Sequence, residues 1–368
     1  MQHALVIIGG GYAGTTLVFN LARTKGLRVT LIDASPVHLV QAKLHRYLAG
    51  DVPFEGVAYD LQSFCTKYGA TFTQGRVTHV DTFSKQVYTE NDVFSYDSLV
   101  VATGCTSFFP QQIKNIHAHA IDIKLPKDLQ EAKKRTEALF QDSGRDHTIA
   151  VVGGGLSGAE IALELAQKAK AFPHVRIALV EQKPTPLPGM DTHLTKAALK
   201  ACETLHVKRY HGAFVAEIGD KSLGLSDGRE VPFSLALFVI GISPNVPSFT
   251  PSLPLTPQGL VEVDGYCRAH GYEDVFVLGD IAYSHDAKGN QNLPTAQVAK
   301  QHAKQVARTL KALLARRALP RPKPVLNKGI LVDLGGKNAA GLSFGVPLWG
   351  KPAYLVKRLV CRLHTRIF

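Results

Sequence analysis

Short apolar runs closed by glycine recur along the chain. "ALVII" runs into Gly9, "IAVV" into Gly153, "LVVATG" ends at Gly104, "LALFVIG" at Gly241 and "VFVLGD" at Gly279-Asp280. These runs are too short for a buried helix and lack the alternation of a half-exposed strand, so they predict strands covered on both faces. After the first two, the period lengthens to that of a helix, in "TTLVFNLART" (15–24) and "AEIALELAQKAK" (159–170). Each helix is followed by a second strand ending in an acid, "RVTLID" at Asp33 and "RIALVE" at Glu181. Strand, helix and strand in alternation predict an α/β fold with parallel sheets.

The turns between these elements carry the chemistry. Gly9-x-Gly11-x-x-Gly14 and Gly153-x-Gly155-x-x-Gly158 each join a strand to a helix. The first glycine of such a loop permits a tight turn, the second lets a pyrophosphate approach the backbone, and the third lets helix and strand pack closely. The helix start offers free N–H groups and the positive end of its dipole to the phosphates. Asp33 and Glu181 stand where a carboxylate holds ribose hydroxyls. The duplication predicts two Rossmann-like dinucleotide-binding domains, and the late strand ending at Asp280 predicts that the second is inserted in the first. Expected boundaries are 1–112 with 250–320 for the first domain, 113–249 for the second and 321–368 for a C-terminal segment. Glu181 would repel a 2′-phosphate, which favours NADH, although Lys183 nearby could serve a phosphate.

Composition narrows the class. A 45% hydrophobic content supports a packed core, no apolar stretch is long enough to span a bilayer, and no secretory signal is read at the start. The five cysteines form no C-x-x-C pair and are read as reduced thiols in a cytosolic protein. His117 and His119 have H-x-H spacing but no third ligand close by, so no metal site is expected. Charge is uneven: from Lys300 to Phe368 there are 15 Lys/Arg and one acid, Asp333, whereas the rest is close to neutral. Such a basic tail points to an anionic surface.

Over nearly its whole length the order of loop, ATG (102–104), second loop and Gly279-Asp280 resembles the pyridine nucleotide–disulfide oxidoreductase superfamily. That resemblance implies FAD in the first domain and NADH in the second, with Thr103, Gly104, Asp280, Ala296 and Gly241 among the cofactor contacts. The stretch "HLVQAKLHRYLAGD" (38–51) has no cysteine pair, which excludes a thiol relay there. "NLPTAQVAKQHAKQ", with Ala296, Gln297, Ala299 and Gln301, resembles the helix of type II NADH dehydrogenases, the single-subunit NADH:quinone oxidoreductases, and 329–360 resembles that branch's C-terminal segment. Val40, Ala42 and Lys43 replace that branch's Phe, Pro and first Leu.

The resemblance implies that two electrons pass from NADH through the flavin to a membrane quinone, without proton pumping. It places Glu160 at the nicotinamide–flavin contact, Gln297 and Gln301 at quinone carbonyls or flavin edges, and Lys43 near the flavin. Glu164, one turn beyond Glu160, is read as an ordinary helix carboxylate. Residues 355–367 plot as a basic amphipathic helix suited to an anionic membrane surface, which predicts a peripheral enzyme on the cytoplasmic side. A homodimer face and a nucleic-acid tail are the weaker readings of this helix. Alternative functions are a binding flavoprotein of the apoptosis-inducing-factor kind and a sulfide:quinone or ferredoxin-type reductase.

Overall fold

The computed structural model describes residues 2–116, 121 and 123–368. The His117/His119 pair lies outside the described residues. The fold is α/β, with two parallel sheets, as the apolar runs predict. The first sheet orders its strands Val275–Val277, Ser98–Val101, His3–Ile8, Leu27–Asp33, Thr71–Gln74. The second orders Lys208–His211, Val175–Glu181, His147–Val152, Leu235–Phe238. Both central strands end where their glycine loops begin, Ile8 beside Ile32 and Val152 beside Val180.

Eight helices are used below: α1 (Tyr12–Leu21), α2 (Leu44–Ala49), α3 (Leu61–Tyr68), α4 (Pro126–Gln141), α5 (Leu156–Ala169), α6 (Thr192–Thr204), α7 (Ala296–Leu314) and α8 (Gly350–Thr365). α1, α3 and α7 bury one face of the first sheet around Leu17, Phe64 and Val306. α2, α4, α5 and α6 close a second core around Leu48, Leu163 and Leu179. Strand Val275–Val277 pairs with Ser98–Val101 after the whole second sheet has intervened, in parallel register. The antiparallel pair Cys105–Ser107 and Ile242–Pro244 connects the segments leaving the two sheets.

The C-terminal segment holds more structure than the sequence pattern predicts. Leu331–Asp333, Ala339–Ser343 and Val346–Trp349 form a three-stranded antiparallel sheet that leads into α8. Among the described residues no helix is long and apolar enough to cross a membrane. All five cysteines are free.

Candidate active site

The two glycine loops are near-copies in three dimensions. Gly9 and Gly153 have φ of +107° and +106°, a region that suits glycine. A Cβ on either would lie 2.4 Å from a backbone oxygen, of Ala102 or Val239. A Cβ on Gly14 or Gly158 would lie 1.9 or 1.8 Å from the carbonyl of Gly9 or Gly153, so helix and strand touch through bare backbone. Gly11 and Gly155 differ: a Cβ there would meet nothing within 4 Å. These open backbone faces sit at the starts of α1 and α5, where no side chain caps the free N–H groups. By contrast α3, α6 and α7 are capped by Asp60, Asp191 and Thr295. Two helix starts with free donors and room in front of them suit two pyrophosphates.

The two acids repeat the pattern. Asp33 Oδ2 accepts from Gly10 N at 2.6 Å and Oδ1 from Ser35 N at 2.7 Å. Glu181 Oε2 accepts from Gly154 N at 2.7 Å and Oε1 from Lys183 N at 2.8 Å. Each oxygen keeps a lone pair for a hydroxyl. Burial raises the Asp33 carboxyl, opposed by the Gly10 and Ser35 N–H groups. It also raises that of Asp280, opposed by Lys124. Thr103 Oγ1 donates to Asn245 O at 2.5 Å and Asn245 N to Gly104 O at 2.9 Å, tying the ATG turn to the strand that leaves the second sheet. Gly241 has φ of +141° and faces the Phe108 side chain. Ala296 opens α7.

On α5, beyond the second loop, Glu160 enters a buried ionic cluster drawn from four elements: His45 (α2), Glu160 (α5), Asp333 (the C-terminal sheet) and Lys357 with Arg358 (α8). Glu160 Oε1 accepts from Asp333 N at 2.9 Å and from the Lys357 ammonium. His45 Nε2 lies 2.7 Å from Asp333 Oδ2, and its Nδ1 3.6 Å from Glu160 Oε2. Lys357 also lies 3.2 Å from Asp333 Oδ2, and Arg358 donates to the same oxygen. Burial alone would raise the Asp333 carboxyl, but the His45 hydrogen bond and the two cations hold it well below the usual carboxylate range. Burial likewise opposes the charge on Lys357, and Glu160 and Asp333 more than restore it. His45, Glu160 and Asp333 each offer an atom within 4.8 Å of the others. Lys357 and Arg358 already neutralise these carboxylates, so the cluster is a closed ion network and not a cation site.

Several of the expected site residues also bond to the protein itself. Gln297 and Gln301 are expected at a quinone or flavin edge, but their amides are taken up by backbone. Gln297 Oε1 accepts from Lys328 N at 3.0 Å and its Nε2 donates to Gly329 O at 3.3 Å. Gln301 Oε1 accepts from Leu326 N at 2.9 Å and its Nε2 donates to Leu326 O at 3.0 Å. The pair clamps 326–329 to α7, since a strand-like backbone offers donors and acceptors that a glutamine amide matches. The Lys43 ammonium donates to Gly56 O at 3.1 Å, and partial burial lowers its affinity for a proton. Lys357, expected among the exposed cations of the tail, is buried on Glu160. α8 keeps its amphipathic pattern in unexpected form: Ala353, Lys357, Cys361 and His364 face inward, while Leu355, Leu359, Val360 and Leu363 are 52–63% exposed. The inward face is polar because it meets Glu160, Asp333 and His38.

His45, Asp333 and Arg358 belong to no local motif. Asp333 alone left a trace, as the one acid in the basic C-terminal stretch.

The sequence model of the pyridine nucleotide-disulphide oxidoreductase family matches residues 3–303. The chain belongs to this family. Within it, the chain is 28% identical to the type II NADH:quinone oxidoreductase of Staphylococcus aureus (strain NCTC 8325 / PS 47), over 98% of this chain and 94% of that protein. Among solved structures, NDH2 from Plasmodium falciparum in complex with RYL-552 has a TM-score of 0.86 at 16% identity, covering 100% of this chain and 97% of the other. The sulfide:quinone oxidoreductase of Aquifex aeolicus has 0.80 at 19%, covering 98% and 90%. At those identities the structural likeness concerns the backbone fold of this oxidoreductase family.

Proposed function

We propose that the chain is a peripheral membrane NADH:quinone oxidoreductase that uses FAD. The observation that carries this reading is the pair of open glycine loops, the second of which leads through α5 to Glu160 in the buried cluster. Supporting it are the curated relatives named type II NADH:quinone oxidoreductase, alike over nearly the whole chain. This reading divides the chain into 1–112 with 250–320 for FAD, 113–249 for NADH and 321–368 for the membrane-facing segment.

The first loop fits FAD because Gly11 leaves the backbone open to a pyrophosphate and Asp33 keeps lone pairs for the ribose. When bound, the flavin supplies a two-electron relay between nicotinamide and quinone. The chain's own residues do the rest. The starts of α1 and α5 hold the pyrophosphates, and Asp33 and Glu181 hold the adenosine riboses. Glu181 sets the preference for NADH, because a 2′-phosphate would bring negative charge against its carboxylate. Asp280 holds the ribityl chain, with Thr103, Gly104, Ala296 and Gly241 shaping the walls. Glu160 steers the nicotinamide or relays a proton towards the quinone, and Lys357 fixes its orientation. Gln297, Gln301 and Lys43 act on the walls of the site: they tie down 326–329 and the 41–43 turn.

The exposed face of α8 is the membrane face. Leu355, Leu359, Val360 and Leu363 continue onto Trp349, Val346 and Phe344 of the preceding hairpin, all more than half exposed. Cations flank it, at Lys351, Arg362 and Arg366. A large apolar surface rimmed by cations suits the interface of an anionic bilayer, where the quinone is dissolved. Steady-state oxidation of NADH and NADPH with a short-chain ubiquinone, a menaquinone analogue and ferricyanide tests the assignment. NADH preferred over NADPH, with quinone-dependent turnover, supports it; flavin reduction by NADH with no transfer to either quinone overturns it.

A further inference from the structure

A second carboxylate pair stands one helical turn from the buried cluster. Glu164 follows Glu160 by four residues on α5, so the two side chains share a face. Glu164 is not the ordinary helix carboxylate its position suggests: it is 4% exposed. Gly336 N donates to its Oε1 at 3.3 Å, and three residues earlier Asp333 N donates to Glu160. One stretch of backbone, 333–336, therefore spans both carboxylates. Glu164 lines a cavity of about 550 Å³ shared with Arg46, Asp51, Lys168, Lys337 and Tyr354. Asp51 is 42% exposed, 3.8 Å from Arg46, so the cavity runs from a solvated carboxylate to a buried one.

The groups facing Glu164 are Arg46 and Asp51 from α2 and its following turn, Lys168 and Glu160 from α5, Asp333, the Gly336 N–H and Lys337 from the C-terminal sheet, and Tyr354 from α8. Burial, then the hydrogen-bonded Asp51 and the charge on Asp333, push the Glu164 carboxyl up to about 8, with the Gly336 N–H opposing. On the inner side, Asp333 Oδ1 is buried and has no hydrogen-bond partner among the described residues. It can accept from a water placed between the two carboxylates.

The proposed reaction needs such a line. NADH gives up a hydride, which is two electrons and one proton's worth of hydrogen, and becomes NAD⁺. Quinol formation takes two electrons and two protons. The balance is NADH + H⁺ + quinone → NAD⁺ + quinol, so one proton per turnover comes from water. We propose that Asp51 and Glu164 form its inlet: Glu164 is loaded from the cavity and passes the proton along the Asp333 side to Glu160, one helical turn away. The inlet rests on the quinone-reductase reading, and Glu164 acts in it as a positioning and loading group that touches neither quinone nor flavin.

The test uses the holoenzyme, reduced with one equivalent of NADH and mixed with a short-chain ubiquinone, at pH values on both sides of about 8. Loss of the protonated donor predicts that the wild-type quinone step slows as pH rises through that value. Glu164→Gln is expected to slow the step about tenfold or more at low pH and to remove this limb. Asp51→Asn removes the neighbouring carboxyl, lets Glu164 ionise more easily and moves the limb to lower pH. Infrared difference spectra supply a readout independent of turnover: the protonated-acid carbonyl band should titrate near the same pH, shift in Asp51→Asn and vanish in Glu164→Gln. The rate of flavin reduction by NADH reports that each variant is folded. A wild-type enzyme that quinone does not reoxidise defeats the quinone-reductase reading itself. A quinone-active enzyme whose limb and carbonyl band survive Glu164→Gln overturns the inlet.

Discussion

The proposed membrane face of α8 and its buried catalytic face are opposite sides of one helix, and this proposal can be tested with substitutions that never touch the interior. Leu355→Gln, Leu359→Gln and Leu363→Gln all fall on the outward face, where each side chain is slightly more than half exposed. Full burial of a leucine is worth roughly 1.5–3 kcal/mol, so sinking the exposed half of each into the bilayer interface contributes about 1 kcal/mol. Losing three such contributions, about 3 kcal/mol, corresponds to about 100-fold weaker partitioning. Sedimentation with anionic liposomes measures that loss directly. Flavin content and NADH:ferricyanide turnover should stay at wild-type levels, because the inward residues Lys357, Cys361 and His364 are unchanged. The inward substitution Lys357→Met should behave in the opposite way. It leaves Glu160 buried without its cation, a loss of about 3–5 kcal/mol in stability, while liposome binding by folded protein survives. Deleting 350–368 outright confounds the two effects, since His364 contacts His38 at 3.2 Å, Phe368 stacks on His38 and Lys67 donates to a backbone oxygen of Phe368. A triple variant that binds liposomes like wild type, or that sheds its flavin, would refute the assignment of faces.

Gly11→Val should fold with the thermal stability of flavin-stripped wild type yet purify without flavin, because a Cβ there meets no protein atom but stands in the path of the pyrophosphate; full flavin occupancy by absorbance would contradict the first loop's assignment. Glu181→Ala should weaken NADH by about 10- to 150-fold, the loss of one or two charge-assisted hydrogen bonds of roughly 1.5–3 kcal/mol, and relax discrimination against NADPH; equal KM values for the two coenzymes in wild type would defeat it. Acid should destabilise the fold earlier than carboxylate titration alone predicts. Burial lowers His38 and His302 to about 4 and, with the neighbouring His38, Lys300 and Lys43 charges, His364 to about 3. The unfolded chain binds those protons near the ordinary histidine value of 6.5, so stability falls as pH drops from about 6.5 towards about 4, by up to about 1.4 kcal/mol per pH unit for each histidine. Thermal midpoints across that window check the sign, and His364→Gln should reduce the slope.

What the chain determined by itself was everything local. Apolar runs ending in glycine specify buried strands, and the spacing of Gly9, Gly11 and Gly14, repeated at Gly153, Gly155 and Gly158, specifies turns whose steric demands are met within a few residues. Asp33 and Glu181 reach the next turn of their own strand–loop unit, so their positions could be read too. The buried cluster was decided only by tertiary structure. His45, Glu160, Asp333 and Lys357 come from four elements separated by up to 312 residues, and the ionisation of Asp333 and Lys357 depends on burial and partners that no segment supplies alone. The same holds for α8. Its helical period is in the sequence, but which face turns inward is set by where Glu160, Asp333 and His38 wait for it. Gln297, Gln301 and Glu164 lie on helices whose faces were legible; their partners, on 326–329 and at Gly336, were not, because side-chain hydrogen bonds are chosen by whatever backbone the fold brings within 3 Å or so.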